Sequence, residues 1–315
     1  MSALPRPPLR RLLDHAWVEG AQALQAPPMQ ALLDELSSAE RRLVEAFADG
    51  VRRGPREGAF AVGPGLSTRS PGKLPDIPSL QRLCRALATL DAILCPEWHN
   101  RYYSYNARWA PGAECASMQN GQGEYLFVHF SAVGALIKGF AHDYVMSPWS
   151  RLTASYHDGQ PGKGLWPRIV EHVPPTFEAA LREPAFDWAN TTFCLWRETA
   201  APNWCVGPID FPAYNYLPYD GRVDVFVEED PDGSSFLLEL YDGEPGTYKD
   251  FADSYFNPGE TDYPLDAIAS IYRLEPLDAA LVRRLNPDRV LASLANDVEE
   301  IGYPGGLVDV PLVSP

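Results

Sequence analysis

Residues 118–143 read MQNGQGEYLFVHFSAVGALIKGFAHD, and the folding of this stretch decides the class of the protein. Asn120-Gly121 supplies the positive backbone angles of a tight hairpin. Beyond it, Leu126, Val128 and Phe130 alternate with Tyr125, Phe127 and His129, a period of two that places the two sets on opposite faces of a strand. A turn around Gly134 leads into ALIKGFA. Upstream, RYYSYNARW sets Tyr103, Tyr105, Ala107 and Trp109 on one face, and AECASMQ runs from there to the hairpin. The pattern predicts a meander of three or four antiparallel strands. The stretch ends in His142-Asp143, residue types that also serve acid–base catalysis, so sheet and site compete for it.

Outward from the meander the period changes. PPLRRLLDHAWVEGAQAL and the segment from Pro27 to Gly54 carry apolar residues at helical spacing, with Ser37 or Ser38 ahead of Glu40 as a cap and Gly54-Pro55 as a stop. Residues 55–77 are rich in Gly, Pro and Ser and read as a surface loop; "PGK" lacks the rest of a P-loop. A helix follows with Leu80, Leu83, Leu87 and Leu90 on one stripe. After the meander, VPPTFEAALREPAF reads as a short helix, and NTTFCLWRE with NWCVGPI as a strand pair. Residues 208–220 read as a rigid aromatic loop. RVDVFVEED and SSFLLELYD read as a hairpin around Pro231-Asp232-Gly233. GTYKDFADSYF and two segments broken at Asn286-Pro287 read as helices. The expected class is α+β: N-terminal helices, an antiparallel-sheet body and C-terminal helices. The division is residues 1–95 and 96–315, or one continuous domain.

Charge is distributed unevenly. Residues 210–315 hold six Lys/Arg against 22 Asp/Glu, which accounts for the net charge of −16. Such a surface repels nucleic acid and anionic lipid and attracts cationic partners. Five widely spaced cysteines without a CxxC pair read as reduced thiols. The first residues lack the apolar run of a secretory signal, and no segment approaches the roughly 18 apolar residues of a membrane span. The expected location is the cytoplasm.

Six histidines, none in HExxH or HxH spacing, give no local metal motif, and no cofactor is expected. His129 reads as a packed sheet residue. Cys95 and His99 straddle Pro96, which favours a helix end over a ligand pair. His142 follows a strand, where catalytic groups often sit, yet on an extended segment Asp143 would point away from it. Asp230, Asp232 and Ser234 resemble a cation loop but lack the twelfth-position Glu of an EF-hand. The aromatic residues Tyr214, Tyr216 and Tyr219 border Glu228, Glu229, Asp230, Asp232, Asp242 and Glu244. Rings beside carboxylates suit a basic protein partner, with charge steering encounter and aromatics anchoring it.

The segments NRYYSYNARW, ASMQNGQGEYLFVHFSAVGALIKGFAHD, EPAFDWANTTFCLWRE, DPDGSSFLLELYDGEPGTYKDFADSY and LNPDRVLASLANDVEEIGYP together resemble a family of uncharacterised bacterial proteins over roughly residues 80–304. The resemblance carries no catalytic residue. In style the chain is similar to cytoplasmic immunity proteins of bacterial toxin systems, although longer than the small immunity folds. The expectation is a non-enzymatic binder of a cationic protein, such as a toxin domain acting on nucleic acid, with no direct contact to nucleic acid or membrane. The rival expectation is a hydrolase using His142, His129 or His99 with a carboxylate. It requires a concave pocket in which a histidine meets an acid. A third is an intracellular scaffold associating through sheet edges.

Overall fold

A computed structural model describes residues 7–56, 65–220, 222–256, 259 and 262–308. Its centre is a five-stranded antiparallel sheet in simple sequential order: β1 (Tyr103–Ala110), β2 (Ala113–Gln119), β3 (Tyr125–Ser131), β4 (Gly134–Phe140) and β5 (Phe193–Glu198). In β3 the alternation read in the sequence is the one observed; in β1 a register shift between Asn106 and Ala110 turns Trp109 to the opposite face from Tyr103, Tyr105 and Ala107. Leu126, Val128 and Phe130 enter one core with Tyr103, Tyr105, Ala135 and Ile137, while Phe127, Leu136 and Trp196 enter a second core on the other face. Leu126 and Val128 are fully buried, and each contributes about 1.5–3 kcal/mol through removal of apolar surface from water.

The first core is roofed by α4 (Ile77–Leu94), with α8 (Pro245–Tyr255), α9 (Leu265–Tyr272), α10 (Ala279–Leu285) and α11 (Ala295–Ile301) from the C-terminal part. Asp76 starts α4 by accepting a hydrogen bond from Ser79 N at 2.8 Å. Asp91, fully buried on the same helix, accepts from the backbone amides of Tyr102 and Tyr103 at 2.8 and 2.9 Å and from Tyr248 Oη at 2.7 Å. One carboxylate thereby joins α4, the entry to β1 and α8. This core runs across position 95, because α4 packs on strands and helices that follow it.

The second core is closed by α1 (Pro8–Glu19), α2 (Pro27–Asp34) and α3 (Ser38–Arg53), by the short helices α5 (Arg151–Ala154) and α6 (Glu178–Leu181), and by the two-stranded ribbon of β6 (Tyr214–Tyr219) and β7 (Arg222–Val227). Ser37 and Glu40 form a reciprocal capping box at the start of α3. Gly50 lets α3 approach β7: a Cβ there would lie 2.5 Å from Val223 O. Arg53 Nη2 donates to the same carbonyl at 2.8 Å.

The structure corrects three local readings. Residues 214–219 are a strand rather than a loop, and they are the partner of β7. SSFLLELYD is helical: α7 (Ser234–Leu237) and a 3-10 turn at Glu239–Asp242 replace the second half of the expected hairpin. The cause is the inward turn of Asp230 and Asp232, which accept the amides of Ser234, Ser235 and Phe236 and so start a helical turn. The pairing after β5 is a single bridge, Trp196 to Cys205. Much of the loop read at 55–77, residues 57–64, lies outside the described residues.

Candidate functional site

The β3–β4 register pairs Tyr125 with Phe140, so Glu124 lies beside the segment leaving β4. The Asn120–Glu124 turn fixes Glu124 further. Asn120 Oδ1 accepts from Gln122 N and Glu124 N at 2.9 and 3.2 Å, and Asn120 Nδ2 donates to Glu124 Oε2 at 2.5 Å. Gly123, at φ +113, completes the turn and passes close to the His142 ring, where a Cβ would lie 3.3 Å from Nδ1.

Glu124 is only 6% exposed. Its Oε1 lies 2.5 Å from His142 Nδ1, and the two atoms meet off the hydrogen-bonding axis. On the other side of the ring, Nε2 is 3.2 Å from Asp143 Oδ1. The residues after β4 form turns, not an extended strand, so Asp143 folds back to the ring instead of pointing away. This corrects the expected orientation, and it brings together three groups whose ligand atoms lie within 4.8 Å of one another, although no local spacing announced a metal site. The His142 side chain is 38% exposed. It is therefore open to solvent on one side.

His142 and Asp143 line a cleft of about 590 Å³ together with Tyr216, Leu217 and Pro218 of β6, Trp149 and Arg151. This volume falls in the range of small-molecule sites. Trp149 is held by its indole N–H, which donates to Asn190 Oδ1 at 2.8 Å. Asn190 in turn accepts from Lys138 Nζ at its carbonyl and donates to Asp187 at 2.7 Å. Lys138 is fully buried with Nζ 4.1 Å from the Tyr125 ring centroid. Burial pulls its pKa down to about 7, against the opposing charge of Asp187.

The other sequence candidates are dispersed. His129 is buried on the second-core face, edge-on to Phe186 at 6.1 Å, and burial lowers its pKa. His99 is exposed in the Trp98–Asn100 turn. Tyr214 and Tyr216 are 1% and 5% exposed, so neither ring is presented as a surface anchor; Tyr219, at 73%, is. Tyr214 instead packs on Phe47 and donates to Asp14 at 2.9 Å. Asp230 and Asp232 are buried in the α7 turn, where Thr68 Oγ1 also reaches Asp232. Burial, then the charge of Asp232, pushes Asp230 up to about 7. Glu228 is half-buried, while Glu229, Asp242 and Glu244 are exposed and form no ion pair among the described residues.

Glu124 was missed in the sequence. Its signal was position: it closes the turn before β3, and the hairpin with β4 brings that turn to His142. Among the described residues, no helix is long and apolar enough to cross a membrane. Compared with known proteins, the chain matches no family model, no curated protein and no solved structure.

Proposed function

We propose that the protein is a hydrolase whose centre is His142 with Glu124 and Asp143. The observation that carries this reading is the contact of a buried carboxylate with one ring nitrogen while the other nitrogen and Asp143 face the cleft. Such a set binds and activates a water at the cleft wall, and Glu124, buried against Nδ1, keeps a carboxylate on the far side of the ring from the cleft. Aromatic and apolar walls from Trp149, Tyr216 and Leu217 suit a small organic substrate. A panel of chromogenic carboxyl esters, phosphoesters and anilides, assayed with the wild type and His142→Ala, tests this. The expected result is turnover of at least one class, reduced 100-fold or more in the variant. No turnover of any class, or equal turnover by both proteins, removes the reading.

A second reading, a binder of a cationic protein such as a toxin domain, is favoured by Glu229, Asp242 and Glu244, exposed and not ion-paired among the described residues, and by the exposed Tyr219. The burial of Tyr214, Tyr216, Asp230 and Asp232 leaves it fewer contacts than the sequence offered. A specific basic partner retained at low salt, and released by Lys substitutions at those three acids, would favour it over the hydrolase.

A further inference from the structure

We infer that the Glu124–His142–Asp143 cluster binds one divalent metal ion of the kind that accepts mixed nitrogen and oxygen ligands, such as zinc or cobalt. The inference deepens the hydrolytic reading of the same cleft and rests on it for the ion's catalytic use, though not for its binding. His142 Nε2 and Asp143 Oδ1 are 3.2 Å apart. Two ligands about 2.1 Å from one ion, at tetrahedral to octahedral angles, stand about 3.0–3.4 Å from each other, so this pair is already spaced to chelate. Glu124 occupies the other end of the ring, 2.5 Å from Nδ1. In metal sites a carboxylate on this side orients a ligating histidine and raises its basicity; Glu124 takes that role once a small turn of the ring brings Nδ1–H onto the axis it now misses.

The surroundings agree. Glu124 and Asp143 place two carboxylates at the ends of one imidazole ring, so the local field favours a cation. The cleft gives room for waters to complete the coordination shell and leaves positions open to substrate. Arg151, which forms no ion pair among the described residues, lines that cleft and is placed to receive an anionic part of the substrate. A bound ion lowers the pKa of its water. The water oxygen then bonds to the substrate's acyl or phosphoryl centre, the bond to the leaving group breaks, and the proton lost by the water ends on the leaving group.

Titration of the full chain with Co²⁺, followed by calorimetry and visible absorption, tests the site. The expected result is one ion per chain with ligand-field bands and no thiolate charge-transfer band, which separates this site from the cysteines. His142→Ala should abolish binding, Asp143→Asn should weaken it at least tenfold, and Glu124→Gln should weaken it about 10–100-fold through the ring. Asp143 is exposed, so its variant keeps the test valid if the His142 variant misfolds. Wild-type protein that takes up no cobalt, or equal uptake by wild type and Asp143→Asn, overturns the inference. Turnover lost in His142→Ala without cobalt uptake by the wild type would sink the ion and leave the hydrolase standing. Cobalt bound at these residues without turnover of any substrate would do the reverse.

Discussion

Glu124 and His142 stand 18 positions apart in the chain and 2.5 Å apart in space, because one hairpin register delivers the end of a turn to the exit of a strand. The contact depends on Asn120, whose side chain holds the turn through three hydrogen bonds. Asn120→Ala should cost about 1–2 kcal/mol of stability. It should also lower turnover by roughly tenfold, since loosened positioning near the chemistry is costly. Turnover unchanged in the face of a lowered melting temperature would separate the turn from the site.

Asp91 satisfies three donors inside the first core. Asp91→Ala strands two backbone amides and a tyrosine hydroxyl away from water. Leaving buried donors unsatisfied costs about 1–3 kcal/mol each, so the variant should lose about 3–5 kcal/mol in urea unfolding. A loss below about 1 kcal/mol would mean that water or a neighbouring group replaces the carboxylate.

Asp230 gives a pH test. Its folded pKa, about 7, is above the ordinary aspartate value of 3.8. Between these values the folded chain holds the proton more tightly than the unfolded chain, so this residue withdraws stability as pH rises from about 4 to 7. In Asp230→Asn the side-chain oxygen still accepts the α7 amides and the titration is gone. The melting temperature of the variant minus that of the wild type should therefore climb over this window and level off above it. A flat difference would show that the carboxylate is not strained by burial.

Lys138 gives the opposite sign. Its folded pKa, about 7, is below the ordinary lysine value of 10.5. The unfolded chain binds the extra proton between these values, so the penalty of the buried amine is full below about pH 7 and fades as pH rises toward 10.5. Lys138→Met, which removes the charge at similar length, should show its greatest relative stability at pH 6 and lose that advantage by pH 10. A difference independent of pH would place the amine's value in its hydrogen bond to Asn190 and its packing on Tyr125.

The parts of the fold that were legible are those in which local pattern and tertiary burial agree. Successive residues of β3 point to opposite faces, and because both faces are covered the run from Leu126 to Phe130 is buried throughout; the capping box at Ser37 is written in adjacent residues. Where a side chain captures the backbone, the pattern misleads. SSFLLELYD has strand-like composition, but Asp230 and Asp232 hold its amides in a helical turn. Tyr214 and Tyr216 looked like surface anchors because nothing local reveals that α1 and α3 lie over them. For the site, His142 was visible and its orientation was not, since that orientation depends on a turn whose φ/ψ angles no periodicity encodes.

One wall of the cleft belongs to a ribbon that rests on the N-terminal helices. Asn215 to Pro218 line the cleft from β6, whose partner β7 is fastened to α3 by Arg53 and by the close approach at Gly50. Residues 7–53 thus act as an abutment for a cleft rim they never touch in sequence. Shortening the chain at its front end should widen the opening before it unfolds the sheet, and selectivity should fail earlier than stability.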